Sequence, residues 1–177
     1  MHHQIEIITT LKKTKMKKLI LSALSLIAIA SVNAQSTTAT SSQNVVLNLQ
    51  NQIDITVVPG SATGTDFTFA TTDDYTTGLT NKNASQFQVR SNKAWAVTVG
   101  AATANFSGSA TTVMPSNKLG VRLAGGTNFT QLSTTAASFT SGTRGTNTFT
   151  VDYNANPGFN YDAGTYTLSV VYTATQQ

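Results

Sequence analysis

Apolar residues recur at every second position through most of this chain. Val45, Leu47 and Leu49 alternate, then Ile53, Ile55 and Val57, and Phe67 with Phe69. Phe87 and Val89 follow, then Trp95, Val97 and Val99, Leu119, Val121 and Leu123, Phe149, Val151 and Tyr153, and finally Tyr166, Leu168, Val170 and Tyr172. A period of two places one set of side chains on one face of an extended chain, so each run reads as a strand with one buried face. The runs are separated by Pro59-Gly60, Gly125-Gly126 and clusters of Asn and Ser, the residues that turns require. Beyond residue 34 no stretch repeats apolar residues at helical spacing for more than a turn. Such a pattern specifies an all-β fold, a single antiparallel β-sandwich or barrel, with no repeat period that would suggest a propeller or solenoid. Phe87 and Val89 are expected to form a hairpin with Trp95, Val97 and Val99 through "SNK", and "TTDDYTTG" an acidic loop.

The N-terminal part is not fold. Lys12, Lys13, Lys15, Lys17 and Lys18 precede "LILSALSLIAIASVNA", which ends in small residues. A basic segment, a short apolar run and a small-residue break make a signal peptide, with cleavage expected after Ala34. Met16 opens a conventional signal peptide by itself, so translation from either Met1 or Met16 fits. The run is short for a membrane span, and none is expected after cleavage. Residues 1–34 are read as leader, 35–43 as a flexible polar tail and 44–177 as the sandwich. The five lysines against Glu6 account for the whole formal charge of +4; after Ala34, six Lys and Arg balance six Asp. The basic character belongs to the targeting segment, so nucleic acid is not an expected partner.

The residue inventory excludes most catalysis. After residue 34 there is no His, no Cys and no Glu; His2 and His3 lie in the leader. Ser-His-Asp and Cys-His arrangements and imidazole or thiolate zinc sites therefore cannot be built. Lys82, Lys93 and Lys118 sit in turn-like contexts where an ammonium stays hydrated, which disfavours a Ser-Lys dyad. Asp73-Asp74 reads as a turn pair binding backbone amides rather than an acid/base pair. No catalytic residue and no cofactor is expected.

Two surfaces remain as binding candidates. Asp152, Asn154, Asn156 and Asp162 have the alternating oxygen ligands of a calcium loop. Pro157 stands where such a loop needs Gly, however, and Ala163 where it needs an acid, so the segment reads as a turn-rich connection. Asp152, within the alternation around it, is expected to face solvent. Tyr75, Phe159 and Tyr161 lie in loops beside acids and amides, the mixture that binds glycans by stacking and hydrogen bonding. They are also what would cover the open end of a sandwich.

"FQVRSNKAWAVTV", "MPSNKLGVRLAGG" and the closing "AGTYTLSVVYTATQ" together resemble secreted bacterial domains of the spore coat protein U-like and WxL-like surface families. The resemblance rests on Trp95 opening a strand after a short turn, and on the turn from Ala163 to Tyr166 before an alternating strand. It implies an immunoglobulin-like sandwich in a coat, on the cell surface or in a fimbria-like assembly. The cysteines of many coat protein U-like domains and the WxL motif are absent, so neither family's binding mode carries over by residue. The expectation is a secreted, non-catalytic structural or adhesive subunit, periplasmic or extracellular, partnered by its own copies or other surface proteins. Val45, Leu47 and Leu49 are its candidate strand-exchange residues, and the terminal strand is a second surface that a neighbour's sheet could extend. The alternative is a monomeric glycan- or cell-wall-binding module.

Overall fold

The computed structural model describes residues 37–108 and 111–177; the leader and its cleavage point lie outside the described residues. The chain divides into two units, 1–47 and 48–177. In the first, residues 37–47 are exposed and form neither helix nor strand. The alternating residues at 45–49 are thus not part of a sheet.

The second unit carries the strands. One sheet has five, in the order β1 (Ile53–Val57), β2 (Leu79–Ser91), β8 (Gly145–Ala155), β5 (Leu119–Leu123) and β6 (Thr130–Gln131). The other has three, in the order β10 (Val170–Gln176), β3 (Trp95–Ala101) and β7 (Ala137–Gly142). A two-stranded ribbon joins β4 (Ser107–Gly108) to β9 (Tyr166–Thr167). Every pairing is antiparallel, and the fold is the expected all-β sandwich. Among the described residues no helix is long and apolar enough to cross a membrane.

The expected hairpin at residues 91–95 is instead an arch between sheets. Phe87 faces Val57 on one side and Phe149 on the other, so both edges of β2 are occupied and β3 has none to join. Trp95 then opens the opposite sheet, with Val97, Val99 and Ala101 turned into the same core. The final alternating run is broken as well. Tyr166 and Thr167 pair with β4, and the chain joins β3 only from Val170, as an edge strand. The acidic loop contains a short helix, α1 (Thr72–Thr77). Thr71 caps it by accepting from the Asp74 amide, while the Asp74 carboxylate accepts from the Thr71 and Ala70 amides. Those two amides, Thr71 first, hold the carboxyl below its ordinary value.

The core runs between the sheets in two clusters. At one end Val89, Trp95 and Val97 are buried against Ile53, Ile55 and Ala174. Trp95 donates from Nε1 to Thr143 O at 3.0 Å, and its ring lies against Gly142, where any Cβ would overlap it. Towards the other end Leu119, Val121, Leu132, Val151 and Tyr153 are buried. Phe87, Phe139, Phe149 and Tyr172 link the two clusters through ring contacts, including Phe87–Phe149 at 5.3 Å.

Asp152 does not face solvent. Its position on β8 does turn away from the core, but Arg122, directly opposite on β5, lies over it with Nε 3.0 Å from the carboxylate and its guanidinium over the Phe129 ring. The irregular stretch of β2 between Asn81 and Ser85 supplies the Asn83 amide, 2.8 Å from the second oxygen, with Asn83 in the left-handed region at φ 53°. Burial would raise this carboxyl. The Asn83 amide, the Arg122 guanidinium and the Gly125 amide together outweigh that effect and hold it below its ordinary value.

Candidate strand-receiving groove and the exposed arm

One end of the sandwich is closed and the other is open. At the closed end Gln176, last residue of β10, donates to Gln52 O at 2.7 Å, just ahead of β1, and to Asn92 Oδ1 at 2.9 Å. The same Asn92 accepts from the Gln52 amide and donates to Gln50 O at 2.7 Å. These bonds draw the edges of the two sheets together over Trp95 and Val97.

At the open end a groove of about 1010 Å³ enters the core. Ile55, Val57, Phe67, Leu168, Val170 and Tyr172 are among its lining. On its floor the Tyr153 and Tyr172 hydroxyls pair at 2.9 Å. Burial pushes both hydroxyls up, and the proximity of Tyr153 raises Tyr172 further. One hydroxyl gives its hydrogen to the other.

One wall has an unusual backbone. Thr65, Phe67 and Phe69 are half-buried while Asp66, Thr68 and Ala70 are exposed, the pattern of a strand. Nevertheless residues 63–69 belong to no sheet, and none of their backbone N–H or C=O groups bonds to another group of the described residues. Sequence alternation gives a strand at Phe67 and Phe69; the structure half-buries both rings there but pairs the segment with no sheet.

Val45, Leu47 and Leu49 are 77%, 81% and 85% exposed, although each is a residue that folding ordinarily buries. The terminal strand, the other candidate for extension, offers one free edge of β10.

The remaining candidates divide. Tyr75 and Phe159 come together, stacked at 5.2 Å, with Phe69 tilted against Tyr75, and Phe159 is 66% exposed. Tyr161 is turned to Tyr166 instead. Asp152, Asn154, Asn156 and Asp162 are not gathered round one point. Asp152 is tied to Arg122, Asn154 donates to Leu79 O and Thr80 Oγ1, and Asp162 accepts from Thr111 Oγ1. Asn156 bonds through its backbone amide to Lys118 O. Among the described residues no three His, Cys, Asp or Glu side chains cluster as metal ligands.

No protein-family model matches this chain, and no curated protein does. Among solved structures it is similar to a chain of a chaperone–usher pilus, with a TM-score of 0.43 and 10% identity over 81% of this chain and 97% of that one. A likeness of that size carries no argument about what this protein does.

Proposed function

We propose that the chain is a non-catalytic structural subunit of a bacterial surface or coat assembly, exported from the cytoplasm, which joins its own copies by lending residues 45–49 to a neighbour's groove. The observation that supports this is the exposure of Val45, Leu47 and Leu49, alternating and uncharged, in a protein whose core is open at one end. Five extended residues span about 17 Å, and their alternate side chains fall on one face. Burying three aliphatic side chains contributes roughly 1.5–3 kcal/mol each. Fixing five backbone residues costs about 1–2 kcal/mol each. The two nearly cancel, so an arm held this way also needs a ladder of backbone hydrogen bonds, each worth roughly 0.5–1.5 kcal/mol.

Sedimentation of the purified chain over a concentration series, with electron microscopy of the same samples, tests the reading. Oligomers or polymers that vanish in the Val45→Ser/Leu47→Ser/Leu49→Ser variant support it. A monomer at every concentration in both proteins overturns it.

The exposed Phe159 face stacked on Tyr75 favours one second reading, a glycan- or wall-polymer-binding module. Here Tyr75→Ala and Phe159→Ala abolish retention on the polysaccharide while leaving the fold and the sedimentation profile unchanged.

A further inference from the structure

Among the described residues, three stretches that border the groove pair with no further strand on their outer side: the edge of β1, the edge of β10 and residues 63–69. The first two converge at the closed end, where the Gln176 side chain already bridges to Gln52 and Asn92. A strand laid between them would have to break those bonds. Residues 65–69 lie on the open side, already extended and already carrying their apolar face inward through Phe67 and Phe69. Among the described residues their backbone has no hydrogen-bond partner, and buried backbone groups are overwhelmingly paired in folded proteins. At this wall an incoming strand gains a ladder without displacing an existing one.

Resting on the strand-lending reading above, we infer that residues 65–69 are the receiving edge, and that they become a true strand only when residues 45–49 of a second copy pair with them. Assembly is then coupled to a local ordering of the wall: the incoming side chains at 45, 47 and 49 enter the groove as the backbones join. The arm suits this wall because its exposed aliphatic side chains match the aromatic residues there, Phe67 and Phe69; Asp66, also at the groove, is exposed.

The test uses the full chain bearing Val45→Ser, Leu47→Ser and Leu49→Ser, which cannot lend its own arm, with Leu47→Ser alone as a milder second variant. A synthetic peptide of residues 43–51 is added, and a control peptide carries serine at 45, 47 and 49. Peptide binding is read by anisotropy and amide hydrogen exchange is followed residue by residue. The expected result is that alternate amides within 65–69 slow by about tenfold or more with the native peptide and not with the control. If the native peptide binds while exchange at 65–69 is unchanged, the receiving edge lies elsewhere and this inference falls, although strand lending stands. If the native peptide does not bind and the unmutated chain sediments as a monomer, strand lending itself fails and takes the inference with it.

Discussion

The two ends of the sandwich are built from the same kind of strand yet finish differently. At the closed end Trp95 fills the space between the sheets, Gly142 makes room for its ring, and Gln176 and Asn92 bind the flanking chain across the gap. At the open end Phe67 and Phe69 supply an equivalent apolar alternation, but their backbone meets no partner among the described residues and a groove reaches Tyr153 and Tyr172. Both ends therefore have apolar pattern; only at one do side-chain hydrogen bonds tie the flanking chain across the gap. Alternation buries side chains, and backbone pairing decides whether a sheet is finished.

The largest expected effect tests whether the closed end anchors the fold. Trp95→Ala is expected to cost about 3–5 kcal/mol in denaturant unfolding, as large aromatic deletions in cores do. Phe67→Ala, at the half-exposed open wall, is expected to cost about half as much or less. Equal losses would erase the distinction between the ends.

Next comes Asp152→Asn, which leaves Arg122 without its charge partner on a covered face and is expected to cost about 2 kcal/mol at neutral pH. Because the folded carboxyl is depressed, its contribution is fully present above the ordinary value of about 4 and is lost as pH falls through the folded value. The gap between wild type and variant in urea melts is therefore expected to close in acid. A gap of constant size would mean that the loss comes from packing alone.

Tyr172→Phe with Tyr153→Phe is expected to change neutral stability by only about 1 kcal/mol. Both hydroxyls are raised in the folded state, so what they contribute is complete below pH about 10 and is lost as pH rises beyond it. The double variant is expected to flatten the alkaline fall in melting temperature. A fall that persists unchanged would place its origin outside the groove.

The smallest stability effect is expected from Val45→Ser/Leu47→Ser/Leu49→Ser, within about 0.5 kcal/mol, because these side chains are exposed. A larger loss would show that the arm already serves the fold of its own chain.

Much of the fold was legible because Ile53–Val57, Trp95–Val99, Leu119–Leu123 and Phe149–Tyr153 alternate cleanly. The sheet to which each strand belongs was not. Val89 and Trp95 point into one core whether the chain between them makes a hairpin or an arch, and only the two neighbours of β2 decide between them. β7 escaped because Phe139 stands alone among Ala, Ser, Thr and Gly; its pairing with β3 supplies what its side chains do not. α1 escaped because six residues held by a Thr71–Asp74 cap show no apolar period. Of the candidate site, the sequence shows the arm residues and the aromatics of the open end. The burial of Asp152 depends on Arg122, Phe129 and Asn83, which are distant from it in sequence. That residues 65–69 pair with no strand among the described residues is a property of the assembled sheets, and no local pattern encodes it.

The position of Trp95 also gives the molecule a built-in division of optical labour. It is the only tryptophan, and it lies in the closed-end core, whereas all five tyrosines, Tyr75, Tyr153, Tyr161, Tyr166 and Tyr172, line the groove. Indole emission accordingly follows the unfolding of the sandwich as a whole, while the near-ultraviolet dichroism of the phenol rings follows what enters the open end. Occupancy and stability can be recorded from one unlabelled sample, in separate spectral channels.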